Sequence, residues 1–132
     1  MFQKIRFQKN IVLENSMNPN IYEGDEIFIK KIFFNYVPSR FDIVKIRLDK
    51  KSYIKRIIGL PNENLMLNKE SVYINNNELE EKFELIKIEY SPLEISLGKK
   101  EIFLMGDNRS NSIDSRVLGP FNLSDVVGIF SQ

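Results

Sequence analysis

The chain has 132 residues, 42% of them hydrophobic and 28% charged, which suits one globular domain with a modest core and leaves no room for a second full domain. Nineteen basic residues against eighteen acidic ones leave a net charge of +1, too weak a field to draw in nucleic acid or anionic lipid. The absence of cysteine removes disulfides and thiolate metal sites, and the absence of histidine removes the commonest remaining ligand, so the composition argues against a zinc enzyme. A chain without cysteine fits a reduced compartment and a bacterial exterior equally well.

The opening Met1-Phe2-Gln3-Lys4-Ile5-Arg6-Phe7 is too polar for a secretory signal or a membrane span, and no stretch of about eighteen apolar residues follows anywhere. The next segment, Glu14-Asn15-Ser16-Met17-Asn18-Pro19-Asn20-Ile21-Tyr22-Glu23-Gly24-Asp25, sets a serine just before a proline-containing turn that leads into a strand. A hydroxyl held this way is a candidate nucleophile, although a serine near a proline is ordinarily a turn residue. With no histidine in the chain, its proton has to go to a carboxylate or an amine, and a lysine is the leading candidate.

β signals dominate from there. Glu26 to Lys30, Asp42 to Arg47 and Tyr53 to Ile58 are short runs rich in β-branched and aromatic residues. Glu23-Gly24-Asp25, Val37-Pro38-Ser39-Arg40 and Gly59-Leu60-Pro61-Asn62 supply the turns between them. Ile32-Phe33-Phe34, with Tyr36 and Val37, reads as a core or edge strand. In the run from Tyr53 to Ile58, alternation places Tyr53, Lys55 and Ile57 on one face and Ile54, Arg56 and Ile58 on the other. Lys55 thus stands between an aromatic and an aliphatic neighbour, surroundings that disfavour the ammonium, and a lysine has to be neutral to accept a proton. The competing reading is a strand lysine whose amine reaches out to water.

Val72 to Leu79 reads as a hairpin turning at asparagines. The charged stretch Glu78 to Glu84 is expected to be a solvated face. Phe103 to Met105 is a strand, and the loop after it, Gly106-Asp107-Asn108-Arg109-Ser110-Asn111-Ser112-Ile113-Asp114-Ser115-Arg116, carries two carboxylates and two guanidiniums able to form bidentate pairs that stiffen it. The fold expected from this pattern is mainly β.

Three of these segments together resemble the conserved boxes of bacterial type I signal peptidases. Ser16-Met17-Asn18-Pro19 with Gly24-Asp25 resembles the nucleophile box, Tyr53 to Pro61 the lysine box, and Gly106 to Arg116 the Gly-Asp-Asn-Arg box. Order and spacing agree from about Val12 to Gly128, and the short interval between Lys55 and Gly106 is similar to the compact Gram-positive enzymes. The resemblance implies antiparallel sheets with a small β insertion, residues 62–99, inside one catalytic ectodomain, residues 1–132, whose N-terminal membrane anchor is absent from this chain.

The resemblance further implies a serine endopeptidase on the extracytoplasmic face of the cell membrane that removes signal peptides from exported preproteins by a mechanism needing no metal or organic cofactor. Ser16 would be the nucleophile, Lys55 the general base, and Ser112 would orient the amine through a hydrogen bond. Arg56, Asp107, Arg109, Asp114 and Arg116 would brace the loop, with Arg56 pairing with Asp107. Val12, Met17, Ile21, Tyr53 and Ile54 would line shallow pockets for the small residues of an Ala-X-Ala signal, though for each of them plain core packing is the alternative. The peptide would add as a strand near Leu13 and Tyr53.

The chain departs from the family pattern at three places. Glu14 stands where a small hydroxyl donor usually helps bind the oxyanion. A carboxylate there opposes the developing charge, unless it points to solvent or recognises a basic group on a dedicated substrate. Asn20 replaces a usual threonine, and Asn62-Glu63 a usual Gly-Asp. Two other readings stay open: a specialised or non-cleaving homologue that assists pilus assembly by binding pilin precursors, and a cytoplasmic self-cleaving Ser-Lys repressor domain. The repressor reading lacks an evident DNA-binding helix pair and an Ala-Gly scissile dipeptide.

Overall fold

The computed structural model describes residues 6–32 and 36–131. Within them the chain forms β1 (Phe7–Ile11), β2 (Glu26–Lys31), β3 (Ile43–Leu48), β4 (Lys51–Gly59), β5 (Asn64–Lys69), β6 (Ser71–Ile74), β7 (Asn77–Glu78), β8 (Tyr90–Ser96), β9 (Glu101–Met105), β10 (Phe121–Asn122) and β11 (Val126–Ser131). A single helical turn, α1 (Ser115–Leu118), precedes β10, and a 3-10 turn at Leu123–Asp125 precedes β11. The strands pair antiparallel in a seven-stranded sheet, ordered β1-β2-β11-β3-β4-β9-β10, and a four-stranded sheet, ordered β7-β6-β5-β8. The mainly β expectation is met, and the smaller sheet comes from one stretch of chain between β4 and β9.

Turn chemistry sets the register. Leu48 pairs with Lys51 across Asp49-Lys50, where Asp49 takes a positive φ of 56°. Ile74 pairs with Asn77 across Asn75-Asn76, with φ of 49° and 69°, so the expected hairpin turns on two asparagines in the left-handed region. β1 pairs with β2 from Phe7↔Lys30 to Ile11↔Glu26, which delivers the following segment to the sheet's end.

The centre of the larger sheet is buried on both faces. On β4, Ile57 joins Val44, Ile46, Ile102 and Leu104 on one side, while Ile58 joins Leu65, Leu67, Phe103 and Met105 beneath the smaller sheet. Each such fully buried side chain contributes about 1.5–3 kcal/mol relative to exposure. A third cluster, Val12, Met17, Ile21, Ile27, Ile29 and Ile43, lies under the turn that carries Ser16.

One expectation holds only in part. In the stretch Glu78 to Glu84 the side chains of Glu78, Glu80, Lys82 and Glu84 are exposed, but the positions between them turn inward: Phe83 packs edge-on against Phe41 at 5.2 Å and lies 3.9 Å beneath the Arg56 guanidinium, and Glu81 is paired with the buried Arg109. An aromatic and a guanidinium acceptor inside a charged run give it inward partners that charge density alone does not reveal. Of the run from Ile32 to Val37, residues 33–35 lie outside the described residues. Tyr36 donates its hydroxyl to Asp42 at 2.5 Å, and Val37 is exposed. Residues 1–5 of the opening segment also lie outside them. No helix among the described residues is long and apolar enough to cross a membrane.

Candidate functional site

Ser16 sits in a tight turn after the exposed Leu13. Asn20 and Ile21 both donate their amides to Met17 O at 2.9 Å, and Val12 is tied across the segment by Val12 N to Asp25 O at 2.9 Å and Gly24 N to Val12 O at 2.8 Å. The turn is locked to the loop after β9 because Asn108 N donates to Ser16 O at 2.8 Å. That approach requires a glycine at 106: a Cβ there would fall 2.3 Å from Ser112 Oγ and 2.5 Å from Ser16 O. The Ser16 turn and the loop after β9, distant in sequence, therefore meet at Gly106.

Lys55 lies in β4 opposite Val44 and is 1% exposed, while Ser16 is 4% exposed. The Lys55 amine stands 5.9 Å from the Tyr53 ring centroid and 3.4 Å from Glu14 Oε1. Burial pushes the amine below the ordinary lysine range, and the nearby Glu14 and Asp114 carboxylates oppose that shift without cancelling it. Ser16 Oγ donates to the same Glu14 Oε1 at 3.3 Å. Serine and lysine thus converge on one carboxylate oxygen, and among the described residues no hydrogen bond joins Ser16 Oγ directly to Lys55 Nζ.

The loop from Gly106 to Arg116 is braced by charge, though not only within itself. Arg56 grips Asp107 bidentately, Nε to Oδ1 at 2.9 Å and Nη2 to Oδ2 at 2.8 Å. Asp114 caps α1 and accepts from Gly106 N at 2.9 Å, Ser112 Oγ at 2.8 Å and Arg116 Nε at 2.9 Å. Burial raises the Asp114 carboxyl, but the Arg116 guanidinium and these donors outweigh it and hold it below the usual carboxylate range. Arg109 reaches out of the loop to Glu81 and to Tyr90 Oη at 2.5 Å, while its Nε donates to Gly106 O at 2.8 Å. Burial disfavours its charge, yet the Glu81 pair more than restores it.

A cleft of about 590 Å³ opens beside Glu14, lined by Val12, Leu13, Glu14, Tyr53, Ile54 and Ile113 among others; Ser16 and Lys55 stand behind Glu14 and do not line it. Leu13 is 81% exposed at its rim. Met17 and Ile21 are absent from its walls; both are buried in the cluster under the turn, where their side chains anchor the Ser16 segment instead of meeting a peptide. Ser112 is in place beside Gly106, but its hydroxyl donates to Asp114, and among the described residues no hydrogen bond joins it to Lys55, whose amine donates to Glu14. No group of three His, Cys, Asp or Glu among the described residues is disposed to hold a metal.

Several contributors escape sequence reasoning. Asn20 donates to Asp107 Oδ2 at 2.8 Å and to Glu84 O at 2.9 Å, tying the nucleophile turn to the loop after β9 and to the segment between β7 and β8. Ser115 Oγ accepts from Leu104 N at 2.9 Å. Glu63, at the departure after the lysine box, accepts Arg40 through both oxygens and the Leu60 amide at 2.6 Å. The Arg109–Glu81–Tyr90 cluster carries no local signature, since its members are separated in sequence and adjacent only in the fold.

This architecture matches that of solved signal peptidases: the crystal structure of a signal peptidase I from Enterococcus faecalis V583 superposes with a TM-score of 0.61 at 26% identity, covering 73% of this chain and 98% of that one. The protein-family model described as signal peptidase, peptidase S26, matches residues 1–131. Signal peptidase I P of Bacillus subtilis subsp. natto is 32% identical over 140 aligned positions, 93% of this chain and 74% of that protein. Signal peptidase I V of Bacillus subtilis strain 168 is 33% identical over 133, covering 89% of this chain and 79% of that protein. The chain therefore belongs to the S26 signal peptidase family of serine proteases.

Proposed function

We propose that the chain removes signal peptides from exported preproteins on the outer face of the cytoplasmic membrane, with Ser16 as nucleophile and Lys55 as general base. The observation that carries this reading is the burial of a lysine amine and a serine hydroxyl against a common neighbour at the wall of an apolar cleft. A buried amine with a lowered pKa is neutral more readily and can take the Ser16 proton as Oγ attacks the scissile carbonyl. The mature protein's amine then leaves, and water activated through Lys55 hydrolyses the acyl-enzyme.

The substrate lies along the exposed segment at Leu13 and against Tyr53, adding as a strand. Val12, Tyr53 and Ile54 present apolar surface to small side chains at the first and third positions before the cut. No observation favours a dedicated pilin substrate, so a general preprotein is the reading adopted. The test is incubation with a preprotein carrying an Ala-X-Ala signal. The expected product begins at the residue immediately after the second alanine, and an intact preprotein, or a product cut elsewhere, would contradict the assignment.

A further inference from the structure

Glu14 Oε1 receives both proton-bearing groups of the proposed dyad, Ser16 Oγ at 3.3 Å and Lys55 Nζ at 3.4 Å. Both contacts are long for hydrogen bonds and so are easily broken. The charged groups that face the amine are Glu14 from the segment before the turn, Asp114 from the loop after β9, and Arg116 from α1. Across the sheet, β3 offers only Val44. Asp114 is already committed to Arg116, Gly106 N and Ser112, whereas Glu14 has Lys55 as its ionic partner and keeps its side chain 42% exposed.

We propose that Glu14 is the counter-ion of Lys55 and a positioning residue of the dyad: in the free enzyme it keeps the amine protonated and draws the Ser16 hydroxyl away from it, and it swings toward water when a peptide enters the cleft. The inference rests on the proposed Ser16/Lys55 chemistry. A carboxylate beside an ammonium favours the charged form, and a charged amine has no lone pair with which to accept the serine proton. For turnover, the ammonium first gives its extra proton to hydroxide, forming water. The Ser16 proton then passes to the Nζ lone pair as the Oγ–carbon bond forms, and the Glu14 carboxylate itself is unchanged. Its partial exposure at the cleft wall beside Leu13 leaves it room to turn outward. A carbonyl oxygen gaining negative charge nearby repels it in the same direction.

The test is the pH dependence of kcat/KM on an Ala-X-Ala peptide for the wild-type chain, E14Q, E14A and, as a control, E26Q, which removes a carboxylate paired with Lys9 on an exposed strand. Both Glu14 variants should move the alkaline limb to lower pH and raise kcat/KM at neutral pH by about tenfold, the low end for loss of an adjacent opposite charge because Glu14 is partly exposed. The high-pH plateau should change far less, and E26Q should leave the limb where it is. A limb unmoved in both Glu14 variants, or lower activity in both at neutral pH, overturns the counter-ion role. S16A run on the same peptide separates the two readings. An inactive S16A with an unmoved limb discards only the role of Glu14, whereas a fully active S16A removes the dyad and this inference with it.

Discussion

Ser112 donates its hydroxyl to Asp114 Oδ2 at 2.8 Å and fills the space in front of Gly106, so it links the carboxylate that faces Lys55 to the point where the Ser16 turn meets the loop. Replacing it with alanine removes one donor from a buried carboxylate and leaves the contact at Gly106 less constrained. Ser112→Ala should lower kcat by about 10 to 100-fold with KM changed little, because positioning and proton transfer suffer before binding does. Steady-state kinetics on an Ala-X-Ala peptide decides this, and an unchanged kcat would reduce Ser112 to a loop residue. At this scale the site is partly legible in sequence. The lack of histidine directs attention to Lys55, and strand alternation places it beside Tyr53. The direction in which Glu14 points depends on the fold bringing β4 behind the Ser16 turn, and no spacing rule supplies that.

Among the elements, the segment between β7 and β8 does more than cover the smaller sheet. It sends Glu81 to Arg109 and Phe83 to Arg56, and Ile86 bonds through its backbone to Asp107 and Arg109 at 3.1 and 2.9 Å. Removing one partner of a buried ion pair leaves an uncompensated charge, at a cost of about 3–5 kcal/mol, against about 0–1 kcal/mol for an exposed pair such as Lys9–Glu26. Glu81→Ala should therefore lower Tm by about 10 °C or more, while Glu26→Ala should barely move it. Calorimetry on the two variants checks this, and equal small shifts would mean that Arg109 finds another partner or water. The strands around Phe28, Val44 and Ile57 are plain in sequence because β-branched runs are bounded by turn residues. β1, β5 and β8 are not, since Phe7-Gln8-Lys9-Asn10-Ile11, Asn64-Leu65-Met66-Leu67 and Tyr90-Ser91-Pro92 mix polar and weakly β-forming residues whose strand state comes from pairing partners.

Across the whole molecule, β4 and β9 of the larger sheet carry one core on each face, one of them beneath the smaller sheet, and strand alternation in β4 fixes Lys55 and Arg56 as neighbours facing opposite ways. One of them faces Ser16 and Glu14, and the other clamps Asp107 at the start of the bracing loop. The architecture thus delivers a reactive pair and its rigid support from adjacent positions of one strand. The dyad is tested most directly by incubating wild-type, Ser16→Ala and Lys55→Ala proteins with an Ala-X-Ala preprotein across neutral to alkaline pH, with folding of each verified by circular dichroism. The wild type should cleave with a rate that rises along an alkaline limb as the amine becomes neutral, and both variants should leave the preprotein intact at every pH. Cleavage by either folded variant at the wild-type rate would contradict the Ser16/Lys55 mechanism.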